Sequence, residues 1–168
     1  MQNPGESSVL VRPLQQEETP GVGRSVRDGR VQSCKWFFTW PQCDTDRDEV
    51  IRAVKAFKPI KWIIVCSEEH RNGDPHLHCV VWFENRHSTS DCHWADGFAG
   101  KHGNYQAVRS IRATVRYVIK YGQWSAEGID PEKFVEDGSR KRGARWSWAA
   151  EAIGGGKSLK QLHDEDPW

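Results

Sequence analysis

Between Lys35 and Gly122 the hydrophobic positions follow two rhythms, one of strands and one of helices. Lys35-Trp36-Phe37-Phe38-Thr39-Trp40 is a run of aromatic, β-favouring residues ended by Pro41, which predicts a strand. Asp44-Thr45-Asp46 offers capping side chains ahead of Val50, Ile51, Val54 and Phe57, which share one helical stripe that Pro59 closes. Trp62-Ile63-Ile64-Val65-Cys66 is apolar throughout, as a central buried strand requires. His76 to Phe83 predicts a third strand, and the Asn72-Gly73 turn signal makes it antiparallel to the second. Glu84 to Gly100 has no clear period and fits a loop or short helix, whereas Gly103 to Val108 reads as a short strand. Arg109 to Tyr121 predicts a helix with Ile111, Val115, Val118 and Ile119 on its apolar stripe and Gly122 as C-cap. Connections this short exclude a doubly wound parallel sheet. The predicted class is α+β, an antiparallel central sheet with helices packed on one face of it.

The flanks read differently. Of nine Trp, six Phe and three Tyr, none precedes Trp36. Residues 1–33 hold one apolar cluster, Val9-Leu10-Val11, among Gly, Pro, Ser, Gln and charge, and are expected to form a disordered arm. Residues 34–138 form the expected folded domain. Residues 139–168 are expected to be a linker or a self-association segment, with a basic run at Arg140-Lys141-Arg142 followed by Trp146-Ser147-Trp148. Lys and Arg total 24 against 23 Asp and Glu, so the net charge of +1 names no partner. Five cysteines with no C-x-x-C pair argue for a reducing compartment and against a disulfide framework or zinc ribbon. No apolar run approaches a membrane span, and no secretory signal pattern opens the chain.

Three groups of residues carry candidate chemistry. His76 and His78, two apart on a strand, project to one face, and hairpin geometry brings Glu68 of the preceding strand toward them. Two imidazoles and a carboxylate make a divalent-metal site with open positions, although a bare H-x-H equally fits surface or hydrogen-bonded core histidines. On the Arg109–Tyr121 helix, Tyr117 lies about 145° from the apolar stripe with Lys120 on its side, while Tyr121, about 105° away, is the better packing residue. A phenol with a cationic neighbour can act as a nucleophile, yet an exposed Tyr-x-x-Lys is ordinarily just helix surface. From Gly97 to Ala126 there is no Asp or Glu, while Lys101, Arg109, Arg112, Arg116 and Lys120 all fall there. Such a stripe suits a phosphate backbone, with Trp94, Tyr105 and Trp124 as candidates for base stacking, or it is a solvated helix face beside core aromatics. Gly154-Gly155-Gly156-Lys157-Ser158 lacks the first glycine of a phosphate-binding loop, because Glu151 stands there.

Taken together, Phe38-Thr39-Trp40-Pro41-Gln42-Cys43, Pro75-His76-Leu77-His78 and Tyr117-Val118-Ile119-Lys120 resemble motifs I, II and III of HUH endonucleases, in that order. The resemblance is to the replication-initiator (Rep) proteins of eukaryotic viruses with circular single-stranded DNA, of geminivirus, genomovirus and circovirus type, and covers about Cys34 to Gly138. Trp40 stands where geminivirus relatives tend to have Tyr, and Tyr121 where an acidic residue is common. The resemblance implies site-specific nicking and joining of single-stranded DNA at an origin stem-loop, through a 5′-phosphotyrosine, to start rolling-circle replication in the host nucleus. It implies Glu68, His76 and His78 as ligands of Mg²⁺ or Mn²⁺, Tyr117 as nucleophile and Lys120 as its helper. Thr39 and Gln42 become the expected DNA contacts near the nick, and Arg109, Arg112 and Arg116 join them by charge alone. The family's ATPase-helicase domain is not among these residues, which leaves open a helicase beyond Trp168. Two other classes compete: a non-catalytic single-strand-binding module of RNA-recognition type, and a zinc hydrolase that uses water.

Overall fold

The computed structural model describes residues 19–69, 73–120 and 122–138. Two strands bind the sheet together: β2 (Val31–Pro41) and β4 (Pro75–Thr89) pair antiparallel along most of their length. β3 (Ile60–Glu69) pairs antiparallel with the other edge of β4, as expected, and Glu69 opposite Pro75 is the last pair of the ladder. With β1 (Val22–Ser25), β5 (Asn104–Val108) and β6 (Trp124–Glu127) the order is β1-β5-β2-β4-β3-β6, every neighbour antiparallel. Among the described residues no helix is long and apolar enough to cross a membrane.

Helices cover both faces, not the one face expected. α1 (Arg47–Phe57) starts at Asp46, whose carboxylate accepts from the amides of Asp48 and Glu49. Its Val50, Ile51 and Val54 pack with Trp36, Phe38, Trp40, Val65, Leu77, Cys79 and Val81, together with α2 (Asp96–Ala99). α3 (Ile111–Ile119) covers the opposite face, where Val115 and Val118 meet Phe37, Ile64, Cys66 and Val80. A further helix, α4 (131–138), adds Phe134 and Val135 to that cluster. Strand pleating makes the division, since Trp36, Phe38 and Trp40 point one way while Phe37 and Thr39 point the other.

The expected arm over residues 1–33 needs correction, because residues from Thr19 on are structured. β1 pairs with β5, the amides of Arg109 and Ser110 both donate to the Gly21 carbonyl at 2.8 Å, and the Thr114 hydroxyl donates to the Pro20 carbonyl. Gly21 has a φ of 84°, and a Cβ there would lie 2.5 Å from the Ser110 carbonyl, so the close approach demands glycine. These backbone bonds order a segment that has little apolar surface of its own. Glu84 to Thr89, expected to be loop or helix, continues β4 by pairing with Val31, Gln32 and Ser33. Residues 1–18, 70–72, 121 and 139–168, and with them the calls on Tyr121 and on the 139–168 segment, lie outside the described residues.

Candidate active site under α3

Register assembles the site. β4 lies between β2 and β3, so His76 is opposite Glu68 on one side and Pro41 on the other, and His78 is opposite Cys66 and Thr39. Cross-strand partners share a face, which places Glu68, His76, His78 and Thr39 on the α3 side of the sheet. His78 is buried, at 6% exposure, and its Nε2 lies 3.0 Å from Glu68 Oε2. Its Nδ1 lies 3.2 Å from Thr39 Oγ1, and the Phe37 ring stacks on it at 5.5 Å between centroids, only 13° from parallel. Ring orientation is therefore fixed on three sides. His76 is half-buried, its ring 6.5 Å from that of His78 and its Nδ1 3.4 Å from the Asp74 carbonyl.

The donor chemistry of the Glu68–His78 pair suits a divalent cation, with His76 opposite Glu68 in the register as the third candidate donor. An unprotonated ring nitrogen and a carboxylate oxygen at 3.0 Å repel unless a proton or a cation lies between them. Thr39 serves either case: its hydroxyl accepts from an Nδ1–H, freeing the Nε2 lone pair for a ligand, or donates to a bare Nδ1. Two imidazole nitrogens and one carboxylate accept borderline ions such as Zn²⁺ or Mn²⁺ more readily than Mg²⁺. Cys66, facing this centre from β3, is held as a thiol: burial first, then the Glu68 charge, push it up to about 11 against the opposing pull of Arg47.

α3 brings Tyr117 to the same place. Its ring meets His78 edge-on at 5.9 Å between centroids, and the Lys120 ammonium sits over the ring face, 4.3 Å from its centre. The expectation that Tyr117 points away from the packed face needs revision. The buried positions of α3 are Thr114, Val115 and Val118, and Tyr117 lies about 105° from their centre, on the flank of the buried arc. It is half-buried against Phe37 and its neighbours, with the ring turned toward His78.

The other expected contacts scatter. Gln42 is exposed at the rim beyond Pro41, in a left-handed conformation with φ 50°, and its carbonyl accepts from the Lys101 ammonium. Arg109 and Arg116 line a groove of about 460 Å³ with Lys35, Ser110 and Arg112. Arg112 is committed elsewhere, donating to the Phe134 carbonyl at 2.6 Å and lying 4.7 Å over that ring, so it anchors α4. Tyr105 and Trp94 are not stacking platforms: Tyr105 is buried, and Trp94 packs among Trp36, Phe38 and Phe98. Phe37, which the sequence pattern marks only as part of a strand, stacks on His78 and so joins the site. Its position two residues before Thr39, on the same pleat, was the available sign that it lies beneath His78.

Residues 29–130 match the family described as the geminivirus Rep catalytic domain. The chain is also 30% identical over 115 residues to the replication-associated protein of Cabbage leaf curl virus (isolate Jamaica), an alignment that covers 62% of this chain and 33% of that protein. It thus spans a third of the length of that curated relative. The family match takes in both central strands, the Glu68–His78 pair and all of α3, and on that ground the chain belongs to the geminivirus Rep catalytic domain family.

Proposed function

We propose that this domain nicks single-stranded DNA in the stem-loop of a viral replication origin and rejoins it through Tyr117, so starting rolling-circle replication. The observation that carries the reading is the convergence of Tyr117 on His78, 5.9 Å between rings, with Glu68 3.0 Å beyond. Family membership supports the same chemistry.

The Tyr117 hydroxyl attacks the scissile phosphorus in line. A bond forms between phosphorus and the phenolic oxygen, the bond to the 3′-oxygen breaks, the phenol loses its proton, and the leaving oxygen takes one to become a 3′-hydroxyl. One phosphodiester replaces another, so rejoining needs no nucleotide hydrolysis. The Lys120 ammonium, held over the ring, stabilises negative charge that develops on the phenolic oxygen. Glu68, His76 and His78 would hold a divalent cation, Mg²⁺ or Mn²⁺, which when bound would polarise the phosphate oxygens. Thr39 and Phe37 keep the His78 ring in its orientation. Arg109, Arg116 and Lys35 take backbone phosphates of the flanking strand in their groove.

Incubation with Mn²⁺ and an origin-loop oligonucleotide, followed by a denaturing gel, tests this. A covalent protein–DNA adduct is expected from the wild type and from Tyr121→Phe, and none from Tyr117→Phe, whose strand binding persists. Cleavage without any adduct would make water the nucleophile, and binding without cleavage would leave a strand-binding module. Either result overturns the proposal.

A further inference from the structure

On the opposite side of the sheet, a second group of ligand-type side chains gathers in the loop between β4 and β5. His93 Nδ1 lies 2.8 Å from Asp96 Oδ2, and His102 Nδ1 lies 3.0 and 3.1 Å from the two oxygens of the same carboxylate. The two imidazole rings face one another at 4.4 Å between centroids, 36° from parallel. One nitrogen from each histidine and one carboxylate oxygen fall within 4.8 Å of one another. Nothing in the proposed DNA chemistry uses these residues.

The loop is built to hold them together. The Asp91 carboxylate accepts from the His93 amide at 2.8 Å, and the His93 carbonyl accepts from the Asp96 amide at 3.0 Å. Gly100, left-handed with φ 70°, turns the chain back after α2, so that His102 returns to Asp96. Asp96 is fixed from behind by the buried Tyr105, whose hydroxyl donates to Oδ1 while accepting from Trp40 Nε1 at 3.1 Å and the Gly103 amide at 3.0 Å. A carboxylate steered by a buried tyrosine, with two rings converging on it, has the outer support that metal ligands require.

We propose that His93, Asp96 and His102 form a second divalent-metal site, of the zinc class, which steadies the β4–β5 loop against β2, the strand carrying Thr39, and against Gln42 just beyond its end. Two nitrogens and one oxygen suit Zn²⁺ far better than Mg²⁺, with a fourth position left to water. Metal bonds of about 2.0–2.1 Å in a tetrahedron set ligands roughly 3.3 Å apart, a few tenths of an ångström beyond the histidine–Asp96 spacings found here, and the ring nitrogens lie within 4.8 Å of one another. Each ring ligates through Nδ1 by carrying its proton on Nε2. Two imidazolium charges at this ring separation repel, whereas one shared divalent ion does not. The mechanical consequence follows from the neighbours: Lys101 donates to the Gln42 carbonyl, and Asn104 pairs with Thr39, so a pinned loop stiffens the end of β2 beside the candidate active site.

Calorimetric titration of the whole chain with Zn²⁺ tests the site, with Co²⁺ absorption as an independent readout of nitrogen-rich coordination. The double variant His93→Ala/His102→Ala should lose one equivalent relative to the wild type. The variant His76→Ala/His78→Ala should keep that equivalent, and combining all four substitutions should abolish Zn²⁺ binding at both centres. Asp96→Asn, which preserves shape, should weaken it at least about tenfold. Unchanged stoichiometry in His93→Ala/His102→Ala, or full affinity in Asp96→Asn, overturns the proposal. Failure of the active-site reading would appear separately, as a metal count that His76→Ala/His78→Ala does not alter.

Discussion

The two faces of the sheet are made from the same strands and do different work. On the α1 face, Trp36, Phe38, Trp40, Leu77, Cys79 and Tyr105 are buried, and aromatic rings meet edge-to-face from Trp36 through Trp94 and Phe38 to Tyr105. On the α3 face the intervening residues of the same strands begin as core, with Phe37, Ile64 and Val80, and then turn polar at Thr39, His78, His76 and Glu68. Pleating lets β2 and β4 carry a continuous core behind while the front opens into a site. The lesson is a division of labour by residue parity. Buried polar groups destabilise a sheet unless they are paired, and here the aromatic reverse face supplies the packing that offsets them.

The largest effect that would expose this division is on stability. Phe38 is fully buried and touches Trp40, Trp94, Phe98 and Tyr105, so Phe38→Ala should cost about 3–5 kcal/mol in chemical denaturation. That is a large fraction of the stability of a domain of this size. An effect near 1 kcal/mol would mean that the aromatic face is not the structural one.

Next comes His78→Ala, which should leave the folded domain binding DNA but reduce cleavage roughly 10²–10³-fold, the range for removing one electrostatic group from a reacting centre. Single-turnover cleavage at saturating Mn²⁺ measures it. A rate within a few-fold of wild type would remove His78 from the chemistry. A smaller loss is expected at Thr39. Thr39→Val keeps shape but deletes the hydroxyl beside His78 Nδ1, and should lower metal affinity or cleavage about 10–100-fold, while Thr39→Ser restores most of it. If Thr39→Val lowered only DNA affinity, its part would be strand contact and not ring orientation.

How much of this the sequence disclosed depends on where each signal lies. The candidate constellation was legible because its members are tied by strand arithmetic: His76 and His78 share a pleat, and the antiparallel pairing of β3 with β4 puts Glu68 in register with His76. Tyr117 was legible as a residue but not in its orientation, because the helical stripe was centred on Ile111 and Val115, whereas the buried arc includes Thr114. The hydroxyl of Thr114 is satisfied by the Pro20 and Ser110 carbonyls, so a polar residue takes a core position. The early strand was missed for the same reason. β1 is held by backbone bonds to β5 and carries little hydrophobic pattern to read. The His93–Asp96–His102 cluster obeys no period at all. It depends on a left-handed glycine and on a tyrosine reaching forward from β5, neither of which spacing reveals.

The smallest predicted effect concerns pH, and it ties the structural face to that loop cluster. Burial alone would raise the Asp96 carboxyl, but hydrogen bonds from Tyr105, His93 and His102 outweigh it and hold the group below the usual range. A depressed folded-state value means that ionised Asp96 stabilises the fold above its unfolded value, near pH 4, and that this contribution is lost as pH falls through the folded value. Tyr105 moves the other way: burial first, then the Asp96 partner, raise it well above the ordinary phenol. Its contribution is complete below about pH 10, where the unfolded phenol begins to ionise, and declines as pH rises from there toward the folded value. Denaturation midpoints should therefore fall at both extremes, with Asp96→Asn flattening chiefly the acid limb and Tyr105→Phe chiefly the alkaline limb, each also easing the other because the two side chains share a hydrogen bond. An acid limb that Asp96→Asn left unchanged would show that this carboxylate is not what links the loop to the aromatic core through Tyr105.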